Sequence, residues 1–377
     1  MRLTMRHVLR VTAAVLALVA VAIGVLVGVQ TDQHAKSVAA AARIAHARAL
    51  TQREQAISKN VADFRRFRLG AVDGAQLTPN QDDYAGRTVA NGPLLLFFPA
   101  TGARPGEYRL FLDSAEDVGY HVLGLDYWNL GRTLSGTCNT NPRCYTELQW
   151  NRFDGSHPSP YSRVTPAGSI TARFRDAITH LEQVDPAGGW NRFLTSTGTI
   201  EWSNIVVAGH SQGGGMAAFI AHIRSVAGAL MISSPVESDG TFHASWMDHP
   251  SATPVSRQYA IDSQQDGFGP KIWGSWQILG LAPAQGPWRT ELAPPAAGQN
   301  PHAIITTYPF PPHSDAHSLI IEDLTPLTSS GVPKMLPLWH WMLTRFPLPA
   351  VHATTPSTAA PTAPAASPTE AAATPSR

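Results

Sequence analysis

The sequence predicts an α/β fold: a doubly wound, mostly parallel sheet with helices on both faces. Continuous apolar runs alternate with stretches of helical periodicity, and runs without polar positions are typical of strands covered on both faces. Strands separated by helices favour parallel pairing. The runs are PLLLFFPA from Pro93, YHVLGLDYWN from Tyr120, NIVVAG from Asn204, GALMISS from Gly228, RQYAI from Arg257 and HAIITTYP from His302.

Two of the intervening stretches have clear helical spacing. Ile170, Phe174, Ile178 and Leu181 repeat every three or four residues, which places them on one face of a helix. A second helix is expected directly after NIVVAG, through Met216. The alternation of strand and helix therefore continues across the central part of the chain.

Composition and charge narrow the function classes. The chain has 377 residues, of which 43% are hydrophobic, so one large domain with flanking segments is expected. With 28 basic and 27 acidic side chains the net charge is +1, which gives no support to a nucleic-acid partner. The 15 histidines are scattered without metal-ligand spacing, so no metal site is expected.

The N-terminal segment, residues 1–34, predicts a signal anchor or a signal peptide. Val11 to Val29 carries no charge, and a helix of this length nearly spans the core of a bilayer, which makes the membrane its expected partner. An uncleaved anchor is favoured because the run exceeds a usual signal-peptide core, while cleavage at Ala35 stays open. Charges on both sides of the run leave its orientation balanced: Arg2, Arg6, Arg10, Lys36, Arg43 and Arg48.

Two further segments flank the predicted domain, which spans residues 86–347. Residues 35–85 are expected to form a helical stalk or N-terminal extension, because their apolar residues recur on one helical stripe. Residues 348–377 are rich in Pro, Ala and Thr and too poor in large apolar side chains to bury a core. This tail is therefore expected to be disordered.

Cys138 and Cys144 are the two cysteines, and the residues between them, NTNPR, form turns readily. A local disulfide is expected, with two unpaired loop cysteines as the alternative. A disulfide implies an oxidising compartment. Together with the N-terminal segment, it favours a membrane-anchored protein with an extracytoplasmic domain, or a secreted one if the segment is cleaved.

The residues Gly209-His210-Ser211-Gln212-Gly213 fit the Gly-x-Ser-x-Gly pattern of a nucleophile elbow. A nucleophile on a tight strand-to-helix turn needs strained backbone angles and neighbours without side chains, which glycine supplies. The following helix directs its free N–H groups at the same point, which suits a developing oxyanion. Because the pattern joins a predicted strand to a predicted helix, Ser211 is the candidate nucleophile.

On these residues, GHSQGGG above all, the chain resembles the α/β-hydrolase superfamily and its esterases and lipases. The resemblance covers roughly residues 94–343 and includes the order of the predicted strands. It implies a triad in the chain order serine, acid, histidine, with the last two on loops after later strands. It implies no metal and no organic cofactor.

For the acid, the resemblance directs attention to the loop DSQQDGFG, which follows the strand ending at Ile261. It offers Asp262 and Asp266. Asp262 stands close enough to the strand to be buried in it, whereas Asp266 lies in the loop, where a carboxylate can turn toward the site. We favour Asp266, and Asp262 remains the alternative.

For the histidine, the stretch after HAIITTYP offers His313 and His317. His317 matches the family position better, because it stands just before an apolar stretch that leads into the last helix. His302 precedes the strand at the wrong end. His210 is expected to pack beside the elbow, since adjacent residues on a tight turn point apart.

Two backbone N–H groups should form the oxyanion hole. Gln212, directly after the nucleophile, supplies one. The loop PATGARPGEY resembles the family's oxyanion loop without its frequent His-Gly, and Thr101 is our choice there, with Ala100 or Gly102 as alternatives. The loss of one such donor costs about 3 kcal/mol of transition-state stabilisation.

Two stretches resemble insertions that could shape a substrate pocket. Residues 131–168 contain the cysteines, and residues 268–300 are rich in tryptophan. Aromatic segments near an elbow predict either a cap over an apolar group of the substrate or surface packing by amphipathic helices.

The expected function is that of a serine hydrolase, which cleaves small-molecule or lipid-like carboxylic esters through an acyl-enzyme. Ser211 would attack the carbonyl, His317 would act as base and then acid, and Asp266 would orient the imidazole. Acyl transfer, peptidase or amidase activity, and an inactive hydrolase fold serving as an envelope interaction protein are the alternatives.

Overall fold

The structure of the protein, a computed structural model, describes residues 65–70, 81–157 and 159–346. The predicted signal anchor (residues 1–34), most of the predicted stalk (residues 35–85) and the predicted disordered tail (residues 348–377) lie outside these ranges. Within them, no helix is both long enough and apolar enough to span a bilayer. The expected membrane segment is therefore not addressed by the described residues.

A nine-stranded sheet runs through the domain in the order β1-β2-β4-β3-β5-β6-β7-β9-β8. The pairs β1/β2 and β2/β4 are antiparallel, and all other neighbours are parallel. This confirms the predicted mostly parallel α/β class. The strands are β1 (Arg66–Phe67), β2 (Asp83–Arg87), β3 (Leu94–Phe98), β4 (His121–Gly124), β5 (Ile205–His210), β6 (Gly228–Ile232), β7 (Gln258–Ser263), β8 (Trp288–Thr290) and β9 (Ala303–Thr306).

Helices cover both faces of this sheet, and each face has its own buried core. Apolar residues of α2 to α6 belong to one core, and those of α1, α7 and α8 belong to the other. The helices are α1 (Arg109–Asp117), α2 (Leu134–Cys138), α3 (Pro142–Asp154), α4 (Ile170–Val184), α5 (Gln212–Ile223), α6 (Gly269–Ile278), α7 (Ala316–Leu319) and α8 (Leu336–Leu343).

The central strand β3 shows why its run lacks polar positions. Leu94, Leu96 and Phe98 contribute to one core, whereas Leu95 and Phe97 contribute to the other. Successive side chains of a strand point to opposite faces, so a strand covered on both faces must be apolar throughout. Because β3 to β9 pair in parallel, their carboxyl ends lie at one edge of the sheet, where the loops that follow them meet.

The predicted start of the domain at residue 86 is too late. The strands β1 and β2 belong to the sheet, although β1 and the first three residues of β2 fall within residues 35–85, the segment expected to be a helical stalk or N-terminal extension. β2 is polar, and its polar groups find distant partners: Asp83 Oδ1 accepts the N–H of Asp126 at 2.7 Å, and Arg87 pairs with Asp185 at 2.6 Å. Local periodicity cannot reveal a strand whose polar side chains are satisfied this way.

Candidate active site

Ser211 stands between β5 and α5 with φ 54° and ψ −118°. Positive φ is rare for a residue with a side chain, and such strain is concentrated at functional turns. The N–H of Ser211 donates to the carbonyl of Ile232 on β6 at 2.9 Å, which holds the turn against the sheet. The side chain is half-buried and lines a pocket, so its hydroxyl is presented to a ligand.

The glycines on both sides of Ser211 are required by close approach of the backbone. A Cβ at Gly213 would overlap the carbonyl of Phe98 at the end of β3, and a Cβ at Gly209 would overlap the backbone of Gly213. A Cβ at Gly214 would collide with Ser234. The start of α5 can therefore pack against the sheet only without side chains at these positions.

Asp266 and His317 are brought together from the loops after β7 and β9. Oδ2 of Asp266 accepts a hydrogen bond from Nδ1 of His317 at 2.6 Å, and Oδ1 accepts the N–H of Phe268 at 2.7 Å. Burial acts to raise the pKa of Asp266, but the hydrogen bond and charge of His317 outweigh it and hold the pKa below its usual value. Asp266 is therefore an ionised carboxylate that orients the imidazole.

Asp262 lies in β7 and does not contact the imidazole. It is fully buried, and its Oδ2 accepts the indole N–H of Trp273 at 3.2 Å. Burial, followed by the nearby charge of Asp266, raises the pKa of Asp262 well above its usual value. Asp262 is thus a neutral carboxyl behind Asp266, as its position in the strand had indicated.

The main chain of His317 is held in place by hydrogen bonds from His210 and Ser233. The carbonyl of His317 accepts hydrogen bonds from Nε2 of His210 at 2.9 Å and from the hydroxyl of Ser233 at 3.0 Å. His210 is fully buried, and burial lowers its pKa well below the usual value. His210 therefore packs as a neutral side chain beside the elbow, in the position expected of it.

The two other candidate histidines lie elsewhere. His313 is exposed, with φ 60°, and makes no hydrogen bond within the described residues. Nδ1 of His302 bonds the carbonyl of Gln258 at 2.9 Å, at the far end of the sheet from the strand ends that carry the site. In the described structure neither is hydrogen-bonded to the carboxylate of Asp266, which His317 contacts instead.

The loop after β3 places Thr101 beside Gln212. Oγ1 of Thr101 donates to Oε1 of Gln212 at 3.2 Å. The N–H of Ala100 donates to the hydroxyl of Tyr108 at 3.1 Å, and the N–H of Gly102 donates to the carbonyl of Asn129 at 3.0 Å. Of these three, the N–H of Thr101 alone has no acceptor in the described structure.

The elbow, the loop after β3 and the loop that carries His317 border one cavity of about 190 Å³. Ser211, Gln212, Thr101 and His317 all line it. No hydrogen bond within the described residues joins the hydroxyl of Ser211 to the imidazole of His317, and such bonds often tighten only when a substrate is bound. Since Nδ1 is held by Asp266, Nε2 is the nitrogen of His317 that can take a proton.

The two predicted insertions contribute differently. Leu134 of α2 lines the cavity, and a disulfide between Cys138 and Cys144 ties the end of α2 to α3. In the second stretch, Trp276 is buried and donates its indole N–H to the carbonyl of Ser234 at 2.7 Å. The tryptophans of that stretch therefore pack into the domain, and its first residue, Phe268, is the one that reaches the cavity.

Sequence reasoning missed three side chains at the site: Tyr108, Ser233 and Glu322. The hydroxyl of Tyr108 lies 3.0 Å from Nδ1 of His210, and Glu322 lines the cavity. Their positions follow from tertiary packing, and no motif marks them. Glu322, an acidic residue in the otherwise mostly apolar stretch IIEDL, was the one signal available in the sequence.

Within the described residues, no group of three or more His, Cys, Asp or Glu could hold a metal ion.

Solved structures with similar folds include esterases and a peptidase. Similarity to esterase 2 of Thermogutta terrifontis covers 59% of this chain and 81% of that chain, at 13% identity and TM-score 0.32. Similarity to carboxyl esterase 2 of Tuber melanosporum covers 77% of this chain and 89% of that chain, at 11% identity and TM-score 0.36. Similarity to the acylaminoacyl peptidase of Pyrococcus horikoshii covers 77% of this chain and 42% of that chain, at 12% identity and TM-score 0.37.

No family model and no curated protein matches the sequence. At the identities above, the strand order and the elbow define the fold, and the similarities add no argument of their own. The class that these features define is the α/β-hydrolase fold, in agreement with the resemblance seen in the sequence.

Proposed function

We propose that the protein is a serine hydrolase that cleaves carboxylic esters, with Ser211 as nucleophile, His317 as base and acid, and Asp266 as the orienting carboxylate. The observation that carries this proposal is a strained serine sharing one cavity with an imidazole whose other nitrogen is bonded to a buried carboxylate. Such a set is recognised by geometry and roles.

The chemistry follows from the position of each group. Nε2 of His317 takes the proton of Ser211 as the oxygen attacks the ester carbonyl, and Asp266 stabilises the imidazolium that forms. The imidazolium then protonates the departing alcohol, which leaves an acyl-enzyme. Water attacks the acyl group with His317 again as base, and Ser211 is released.

The oxyanion that forms during each attack needs two donors. The N–H of Gln212 begins α5 and so has no acceptor inside the helix. The free N–H of Thr101 supports Thr101 as the second donor over Ala100 and Gly102, whose N–H groups are already bonded. Donors held in place before reaction need no reorganisation when the charge develops.

A chain-length series of p-nitrophenyl esters tests this function. We expect the highest kcat/KM for short acyl chains, because the volume of the cavity is about 190 Å³, and no turnover above background for Ser211→Ala. Turnover that persists in a folded Ser211→Ala protein would reject the proposed nucleophile. Adding an alcohol acceptor and analysing the products separates hydrolysis from acyl transfer.

We also propose that the domain works outside the cytoplasm. The disulfide between Cys138 and Cys144 supports this location, since such bonds persist in oxidising compartments. Thiol alkylation of protein taken directly from cells tests it: we expect both cysteines to resist alkylation until a reductant is added.

A further inference from the structure

We propose that Glu322 binds a positively charged ammonium group of the substrate, so that the enzyme prefers cationic esters. This inference rests on the proposed function and specifies its substrate class. Glu322 follows α7 and lines the same cavity as Ser211 and His317.

The carboxylates that line the cavity have no lysine or arginine beside them in its lining. Two glutamates, Glu237 and Glu322, are among the described residues that line it, and none of those residues is a lysine or an arginine. A low-dielectric cleft lined by one sign of charge favours ligands of the other sign. An anionic substrate would therefore be repelled, and a cationic one would be attracted.

Glu237 is not the group available to a ligand. It is almost fully buried, and its two oxygens accept hydrogen bonds from the amide of Gln149 and the indole of Trp246, both at 2.7 Å. Both of its oxygens therefore already have a donor from the protein.

Glu322 is less well supplied with donors. The hydroxyls of Tyr108 and Ser318 approach its carboxylate, but each has one proton and another acceptor close by, Nδ1 of His210 at 3.0 Å and Oδ2 of Asp315 at 2.9 Å. The carbonyl of His317 can only accept, so Nε2 of His210 must carry the proton of that 2.9 Å bond. Because burial keeps His210 neutral, its Nδ1 is then an acceptor, and the single proton of Tyr108 is directed to it at 3.0 Å. Tyr108 lies 3.4 Å from Oε1 of Glu322 and has no second proton to donate.

Among the described residues, no lysine or arginine forms an ion pair with Glu322. Within the described residues, the basic side chain nearest its carboxylate is the neutral His210, with Nδ1 3.7 Å from Oε1. A carboxylate in a cleft without a counter-charge is costly, and an ammonium group supplied by a substrate removes that cost. The side chain remains 18% exposed, so a ligand can reach it.

The position of Glu322 places the bound cation close to the reacting bond. Its carboxylate approaches His210, which directly precedes Ser211 in the elbow. Burial, followed by the charge of Glu107, raises the pKa of Glu322 to about 7. Experiments above that pH therefore keep it ionised.

Pairs of esters that differ only in charge test the proposal above the pKa of Glu322. Acetylthiocholine and its uncharged isostere neohexyl thioacetate, both thioesters, place the group on the leaving thiol. Ethyl trimethylammonioacetate and ethyl tert-butylacetate place it on the acyl side. Each kcat/KM is divided by the rate of alkaline hydrolysis of the same ester, which removes differences in intrinsic reactivity. We expect the cationic member of at least one pair to be favoured by about tenfold or more.

The variant Glu322→Gln keeps the shape and removes the charge. We expect it to bring the charge preference down to about one, whereas Glu147→Gln, an exposed position on α3, should leave the preference unchanged. A preference absent from both pairs, or one that survives Glu322→Gln, would overturn the proposal. Because each readout is a ratio from an active enzyme, hydrolysis of both esters with no preference leaves the serine hydrolase itself intact.

Discussion

The carboxylate of Asp266 accepts a hydrogen bond from Nδ1 of His317 at 2.6 Å across 51 residues of sequence. The loop after β7 and the short helix α7 meet here, at the edge of the sheet where Ser211 also lies. The contact occupies Nδ1 and leaves Nε2 as the ring nitrogen available for proton transfer. The catalytic proposal depends on this tautomer.

Replacing Asp266 by Asn should lower kcat by about four orders of magnitude with the fold intact, because the amide favours the wrong tautomer of His317. Steady-state kinetics with a p-nitrophenyl ester, alongside circular dichroism, measures this. Asp262→Asn is the matched control, since an amide oxygen still accepts the indole N–H of Trp273, and we expect a loss below about tenfold. If the Asp262 variant is the inactive one, the acid is assigned to the wrong residue.

His210→Phe should reduce kcat/KM by about tenfold, because a small displacement of His317 impairs proton transfer. Activity should not vanish, since Ser233 still holds the same carbonyl. His222→Phe is the control: His222 is also buried, and neither of its ring nitrogens has a hydrogen-bond partner in the described structure. Equal losses in both variants would indicate a general packing defect and remove the positioning role of His210.

Gly213→Ala should destabilise the domain by about 3 kcal/mol, because the added methyl group overlaps the carbonyl of Phe98. Gly106→Ala is the matched change, since a Cβ there meets no atom within 4 Å, and we expect a change within about 0.5 kcal/mol. Urea unfolding of both variants measures the difference. Equal stabilities would show that α5 does not need the close approach to β3.

The domain should lose stability between about pH 6.5 and pH 8.5. Burial raises the pKa of Asp83 to about 8 and that of Glu237 to about 7. Both groups ionise near about pH 4 in the unfolded chain, so the folded state holds more protons in this window and the free energy of unfolding falls as pH rises.

Thermal unfolding across that window, followed by circular dichroism, measures the slope. The buried histidines offset it only at the acid end of the window, because unfolded histidine, with a pKa of about 6.5, is about nine-tenths deprotonated by about pH 7.5. Asp83→Asn mimics the protonated acid and should flatten the dependence. A stability that rises with pH in the parent protein would show that these carboxyls are ionised in the fold.

Much of the fold could be predicted because its signals are local. Every apolar run that the sequence marks as a strand lies in the sheet, and the elbow pattern places Ser211 at the turn where β5 meets α5. β2 was missed because Asp83 and Arg87 make it polar, and only distant partners explain those side chains.

The residues of the candidate site could likewise be predicted only in part. The family resemblance and the loop positions favoured Asp266 over Asp262 and His317 over His313, and the structure brings the two favoured side chains together, while their catalytic roles stay predictions. The groups beneath the site, Tyr108 and Ser233, come from segments far apart in sequence, so no spacing rule could have assembled them. Burial determines whether such a group is charged, and burial is known only from the fold.

Covalent labelling by a fluorophosphonate tests the central claim most directly, because it reads the nucleophile itself. The reagent should form one adduct per chain, located on Ser211 by peptide mass spectrometry, and the folded Ser211→Ala protein should form none. An adduct on another residue, or no adduct on a protein that still hydrolyses esters, would contradict the assignment of Ser211.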